Sequence, residues 1–122
     1  MPSENPEPPL FDPVAIDALR KVAGDQGSKF VAEMARLFED ETVKSLEELR
    51  RGCDRCDWKL VTRLAHSLKS SAATLGLMRL SLACKALEMD TKGATSSAET
   101  AALVASVLEQ FDQAAPLLKS LA

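Results

Sequence analysis

Aromatic residues are scarce in this chain of 122 residues, with four Phe, one Trp and no Tyr, 4% in all. Its 46% hydrophobic complement is therefore mostly Leu, Ala and Val. Ala and Leu are strong helix formers, whereas strands favour β-branched and aromatic side chains, so the missing rings argue for an all-helical protein. A basic excess is also missing: 15 Lys and Arg stand against 18 Asp and Glu, for a net charge of −3. Nucleic-acid binding needs a basic face and gains no support. No apolar run approaches the roughly 20 residues of a membrane span. The N-terminus lacks the basic and then apolar character of a signal peptide. These absences predict a cytoplasmic chain, or a cytoplasmic piece of a larger protein, without direct membrane contact.

Cysteine is sparse and odd in number, at three, which excludes a complete disulfide framework. Cys53 and Cys56 form a C-x-x-C. A structural zinc site wants four ligands, and only Cys84 and one histidine remain as candidates, so the pair reads as two ordinary thiols near a helix junction and no metal is expected. A glycine-rich phosphate loop is absent, which speaks against nucleotide binding.

What is present is helical periodicity. Residues 1–9 (MPSENPEPP) are polar and proline-rich and read as a disordered tail or an interdomain linker, with one domain over residues 10–122. Asp12-Pro13 is a helix start, Asp capping and Pro in the first turn, and Gly24 ends that short helix. A second helix, capped by Ser28 and running to about Arg51, carries Phe30, Met34, Leu37, Phe38, Leu46 and Leu49 at three- and four-residue spacing. A third spans roughly Asp57 to Leu75 and stops at Gly76, and a fourth spans Leu77 to Thr91. Ser96 and Glu99 have capping-box spacing and start a fifth, in which Pro116 removes one hydrogen bond and introduces a kink. Short loops make consecutive helices antiparallel neighbours. The expected architecture is an all-α, antiparallel up-down-up-down four-helix bundle with a short N-terminal capping helix.

On a wheel of about 100° per residue, Leu60, Val61, Leu64, Ala65, Leu68, Ser71, Ala72 and Leu75 share one arc, the core face of the third helix. The chain's one histidine, His66, falls nearly opposite, with Thr62, Arg63, Lys69, Ser70 and Ala73 around it. An exposed histidine needs no special explanation by itself. Here, however, Lys69 lies one turn away, Arg63 one turn to the other side, and the small Ser70 and Ala73 leave the ring open to a partner. An ordinary imidazole titrates near neutrality, so a large fraction is nucleophilic at physiological pH. Lys69 is placed to balance phosphate charge with a charge-assisted hydrogen bond. A Ser-His-Asp hydrolase finds less support, because no acidic residue lies within a turn or two of His66 in the sequence.

The segment Leu64-Ala65-His66-Ser67-Leu68-Lys69-Ser70-Ser71-Ala72-Ala73-Thr74-Leu75-Gly76 resembles the H-x-L-K-G-S-x-x-x-x-G signature of the histidine-containing phosphotransfer (HPt) family. Phe30 to Thr42, the Asp57-Trp58 entry and Leu80-x-x-x-Cys84-x-x-Leu87-Glu88 extend the likeness, which covers roughly residues 12 to 118. The resemblance implies that His66 is the phosphoacceptor and that Lys69 assists. It implies receiver domains of response regulators and hybrid histidine kinases as partners, and the wheel offers Thr62, Arg63, Ser70 and Ala73 as the surface on which they would dock. It implies a phosphoryl carrier with no kinase site and no cofactor of its own, magnesium being supplied by the partner receiver. Ser70 departs from the family's usual glycine. Two contexts stay open: a free-standing protein, or the C-terminal domain of a hybrid sensor kinase that tethers it to a membrane. An alternative reading is an HPt-like module that binds receiver-type partners without carrying phosphate.

One further feature falls on the fourth helix. Leu77, Leu80, Cys84, Leu87 and Thr91 form its core stripe, while Met78, Leu82 and Met89 cluster roughly opposite. Methionine suits adaptable binding surfaces. This ridge is a candidate second surface, for a neighbouring domain or for self-association.

Overall fold

The computed structural model describes residues 8–122. Five helices follow one another: α1 (Pro13–Ala23), α2 (Gly27–Asp54), α3 (Trp58–Thr74), α4 (Met78–Thr91) and α5 (Thr100–Leu121). A 3₁₀ turn over Gly24–Gln26 joins the first two, and no strand occurs among the described residues. Helices α2 to α5 form the expected four-helix bundle. Each packs against the next, α5 returns to α2, and neither diagonal pair brings Cα atoms within 8 Å of each other. The closest pairing is α3 with α4. The short helix α1 lies against α2 and the edge of α3. Two helices approach where side chains are absent: a Cβ on Gly27 would sit 2.7 Å from the Arg20 carbonyl oxygen, so glycine lets α1 fold back on α2.

The core is aliphatic, as the composition requires. Val31, Ala35 and Leu49 of α2, Val61, Ala65 and Ala72 of α3, Leu80, Cys84 and Leu87 of α4, and Val107, Ala114 and Leu118 of α5 are buried. Phe38 and Phe111 are the buried rings. The whole predicted stripe of α4, including Thr91, is buried. The sequence reading needs correction elsewhere. Leu37 is 60% exposed and Ser71 is exposed, both at the α2–α3 edge, while Phe30, Met34, Leu60 and Leu64 are only half-buried. Ser28 does not cap α2, which grows out of the 3₁₀ turn with Gln26 at its N-cap.

Both caps of α3 follow from sequence. Asp57 accepts a hydrogen bond from the Leu60 N–H at 3.3 Å. At the other end the Leu77 N–H bonds the Ala72 carbonyl at 2.9 Å and the Gly76 N–H bonds that of Ala73 at 3.0 Å, a Schellman motif with Gly76 at φ 76°. Helix α5 does not start with the Ser96–Glu99 capping box. Asp90 of α4 instead accepts from the Ser97 and Thr100 hydroxyls, each at 2.5 Å, and Ser97 Oγ accepts from the Glu99 N–H at 3.1 Å. These two hydroxyls hold the Asp90 carboxyl below the usual range. Pro116 sits inside α5, which runs on to Leu121.

Of the predicted tail or linker, residues 1–7 lie outside the described residues. Pro8 is held: its carbonyl accepts from Arg79 Nε at 2.9 Å. Among the described residues no helix is long and apolar enough to cross a membrane.

Candidate functional site

His66 stands on the outer ridge of α3 because Val61, Ala65, Leu68 and Ala72 turn the opposite face into the core. Its side chain is 61% exposed. The ring is nevertheless anchored. Nδ1 lies 2.6 Å from Glu88 Oε2, and Lys69 Nζ donates to Glu88 Oε1, also at 2.6 Å. One carboxylate on α4 thus holds both residues that the sequence assigned to phosphate chemistry. Among the described residues, His66 Nε2 makes no hydrogen bond.

Glu88 is the residue the sequence reading missed. The statement that no acid lies near His66 holds along the chain and fails in space, since Glu88 is 22 residues away. A signal was available. On the α4 wheel Glu88 and Ser81 flank the core stripe on one side, and the α3–α4 turn at Gly76 brings that flank against α3. Ser81 also makes this contact, donating to the Lys69 carbonyl at 3.0 Å. The Glu88 side chain is only 15% exposed. The hydrogen bond from Lys69, with a smaller one from His66, holds its carboxyl below the usual glutamate range, against partial burial that acts the other way.

The remaining predicted residues divide. Arg63, Ser70 and Ala73 are exposed on the same ridge. Thr62 is not on the open face: it is half-buried against α4, where its Oγ1 lies 2.7 Å from Thr91 Oγ1 and donates to the Trp58 carbonyl at 2.8 Å. Exposed Lys59 on α3, and Lys85 and Lys92 on the α3-facing flank of α4, add positive charge around the ridge. On the other side of α3 a groove of about 400 Å³ runs between α2 and α3, lined among others by Met34, Leu37, Phe38, Ser67, Ser71 and Leu75.

Leu82 and Met89 of the second surface are 47% and 60% exposed, while Met78 is half-buried and does not fully share their face. Cys56 is exposed and Cys53 half-buried, and burial raises the Cys53 thiol above its ordinary value. Cys84 is buried in the core and its thiol is pushed up to about 12, by burial first and by Glu88 second. Among the described residues no group of His, Cys, Asp and Glu could hold a metal ion.

The family profile of the Hpt domain matches residues 33–115. With a crystal structure of histidine-containing phosphotransfer protein B from Pseudomonas aeruginosa PAO1, the chain shares a TM-score of 0.81 at 21% identity, over 93% of this chain and 95% of that one. Comparison with curated proteins gives no significant match. The chain belongs to the Hpt domain family, the histidine phosphotransfer domains of two-component signalling. Hpt proteins work with receiver domains of response regulators.

Proposed function

We propose that this chain is a phosphoryl carrier of a multistep phosphorelay, taking the group on His66 from a receiver-domain aspartate and passing it to the aspartate of a response regulator. The observation that carries this reading is the state of the only histidine: exposed, tied at Nδ1 and open at Nε2. In the forward step the Nε2 lone pair attacks the phosphorus of an aspartyl phosphate. The P–O bond to the carboxyl breaks, and the carboxylate leaves with the electron pair. Onward transfer reverses these roles with a second receiver. Lys69, one turn from His66, stabilises the phosphoryl oxygens through donors not engaged by Glu88, since an ammonium has three. Chemistry at the aspartyl phosphate, and the magnesium ion it requires, belong to the partner.

Docking of receivers on this face has physical support. Arg63, Lys59, Lys85 and Lys92 surround His66 with positive charge although the chain is acidic overall, which suits an acidic acceptor site and steers encounter. The exposed Leu37 lies in the α2–α3 groove on the other flank of α3, where it offers an apolar patch to a partner that covers both flanks. Ser70 and Ala73 keep the approach low. Incubation with phosphorylated receiver domains tests the reading. Acid-labile label is expected on the wild type and none on His66→Gln, whose fold is intact because the ring is not part of the core. Label persisting on His66→Gln removes the assignment, and binding without transfer favours a pure interaction module.

A further inference from the structure

We infer that Cys53 and Cys56 are a reversible thiol–disulfide site, closed by exchange with a low-molecular-weight disulfide and placed to act on the cap of the helix that carries His66. This inference is independent of the phosphorelay reading.

Spacing alone leaves the C-x-x-C as two ordinary thiols, and three features of the fold carry it further. The first is distance. The Cys56 N–H donates to the Cys53 carbonyl at 3.1 Å, closing a tight turn. Such a turn holds its end Cα atoms within about 7 Å, and disulfides span roughly 4.4–6.8 Å. The second is backbone strain. Cys56 occupies the left-handed region, φ 56°, where a helix end ordinarily carries glycine. A side chain kept there at a steric cost points to a use for it. The third is access. Cys53 and Cys56 line one cleft of about 660 Å³ between the end of α2, Trp58 and the start of α5. Arg50 on its wall offers a cation to the carboxylates of a peptide disulfide. Cys84 is buried in the core and takes no part.

The two thiols have different tasks. Burial, then Asp54, then Cys56 hold the Cys53 thiol above its ordinary value, so its ionisation is disfavoured. Exposed Cys56 therefore attacks first. Its thiolate bonds one sulfur of the small disulfide, whose S–S bond breaks, and the first small thiolate leaves with the electron pair. Cys53 then gives up its proton and attacks the Cys56 sulfur of the mixed disulfide. The bond to the small thiol breaks and the second small thiolate leaves. Both cysteine protons end on the small thiols, so the cysteine pair is oxidised as the small disulfide is reduced. Excess thiol reverses both steps. A disulfide in an exposed, strained turn belongs with the labile ones rather than the structural ones.

Its position supplies the consequence. Asp57 follows Cys56 directly. The Asp57 N–H bonds the Gly52 carbonyl at 2.8 Å, and its carboxylate caps α3 by accepting from the Leu60 N–H at 3.3 Å. Drawing Cys56 onto Cys53 moves both bonds, and with them the first turn of α3.

Glutathione disulfide is the probe, added in excess to the full chain at neutral pH. Acid-quenched mass spectra should show the wild type losing two hydrogens, and peptide mapping should place the new bond between Cys53 and Cys56. Dithiothreitol should restore the original mass. Cys53→Ser should stop at a glutathione adduct on Cys56, and Cys56→Ser should acquire no disulfide. Amide signals of Asp57 and Leu60 should shift on oxidation, while those of Ala114 and Leu118 near the end of α5 stay in place. Emission from Trp58, the only tryptophan, should change in step with the mass. A wild type that stops at the adduct, as Cys53→Ser does, overturns the inference. So does a folded wild type that stays reduced, or a bond that involves Cys84. An internal disulfide that leaves the Asp57 and Leu60 signals unmoved overturns the action on the cap.

Discussion

Thr62 on α3 and Thr91 on α4 meet hydroxyl to hydroxyl at 2.7 Å, one helical turn from the contact between His66 and Glu88. Each hydroxyl has one proton. Whichever donates across the interface, the other donates to its own helix, Thr62 to the Trp58 carbonyl or Thr91 to that of Leu87. Thr91 is fully buried, so the pair fixes the register of the two helices that build the site. Thr91→Val keeps the volume and removes the bridge, and Thr62 can still bond Trp58. The expected cost is about 0.5–1.5 kcal/mol by chemical denaturation. The His66 ring signals should broaden as its support loosens, and a variant as stable as wild type with unchanged signals would show that the bridge does not set the register.

Lys69 is reached less freely than an exposed lysine, since it is 28% exposed and already bonded to Glu88. Lys69→Ala should slow transfer in both directions, and its melting temperature should reflect only the loss of a partly exposed ion pair, about 0.2–1 kcal/mol. Label transfer to and from one receiver, measured at equal occupancy, checks both statements. Unchanged rates in the two directions would take Lys69 out of the mechanism.

The bundle was legible in the sequence because its cause is local. The α4 stripe from Leu77 to Thr91 and the arc of α3 around Ala65 follow from helical period alone, and Asp12, Asp57 and Gly76 mark helix ends by their own chemistry. His66 and Lys69 were legible for the same reason, lying three residues apart on one helix. The misses concern relations between helices. Glu88 joins the site only through the α3–α4 register, and Thr62 leaves the open face because Thr91 draws it inward. Leu37 has the right spacing for a core residue but sits where α2 and α3 diverge into a groove. At α5, the Asp90 side chain arriving from α4 displaces the local Ser96–Glu99 solution.

Acid should dissolve the clamp in a predictable window. The hydrogen bond from Lys69 holds the Glu88 carboxyl below its ordinary range in the folded protein. A folded value below the unfolded one means that its contribution is complete above the unfolded value, about 4.3 for glutamate, and is lost as pH falls through the folded value. The stability gap between wild type and Glu88→Ala should therefore be full at pH 5 and close at lower pH. Urea denaturation at pH steps between these limits measures it. A gap that widens in acid would give the opposite sign and refute the assignment.

The ridge of α4 offers a separate test. Leu82 and Met89 are exposed, and Met78 is half-buried, so the first two are the residues to change. Leu82→Glu with Met89→Glu should alter stability by no more than about 0.5 kcal/mol, as expected for surface positions. Labelling of His66 should be unchanged. Sedimentation at high protein concentration compares the two chains: if the ridge is a contact face, the wild type associates and the double variant does not. A large loss of stability would instead place these side chains in the core.

Two helix ends with the same hydrogen-bond pattern predict substitutions of opposite sign. At the end of α3 the left-handed position is Gly76, φ 76°. At the end of α2 the Asp57 N–H bonds the Gly52 carbonyl at 2.8 Å and the Cys56 N–H bonds that of Cys53 at 3.1 Å, and the left-handed position is Cys56, φ 56°. A side chain there carries the steric cost that glycine avoids, about 1–2 kcal/mol. Cys56→Gly should relieve it, with a net gain of about 0.5–1 kcal/mol after the greater flexibility of glycine in the unfolded chain is subtracted. Gly76→Ala adds that strain, and it also drives a Cβ into the Asp12 carbonyl oxygen and close to Ala15. The N-terminal segment would have to lift away, breaking the bond from the Asp12 N–H to the Gly76 carbonyl, 2.7 Å in the native fold. A loss of about 2 kcal/mol or more is expected, within the range of special backbone positions. Hydrogen exchange should then rise along α1 while α4 and α5 keep their protection. If Gly76→Ala is neutral, or Cys56→Gly destabilises, the left-handed caps do not govern the ends of these helices.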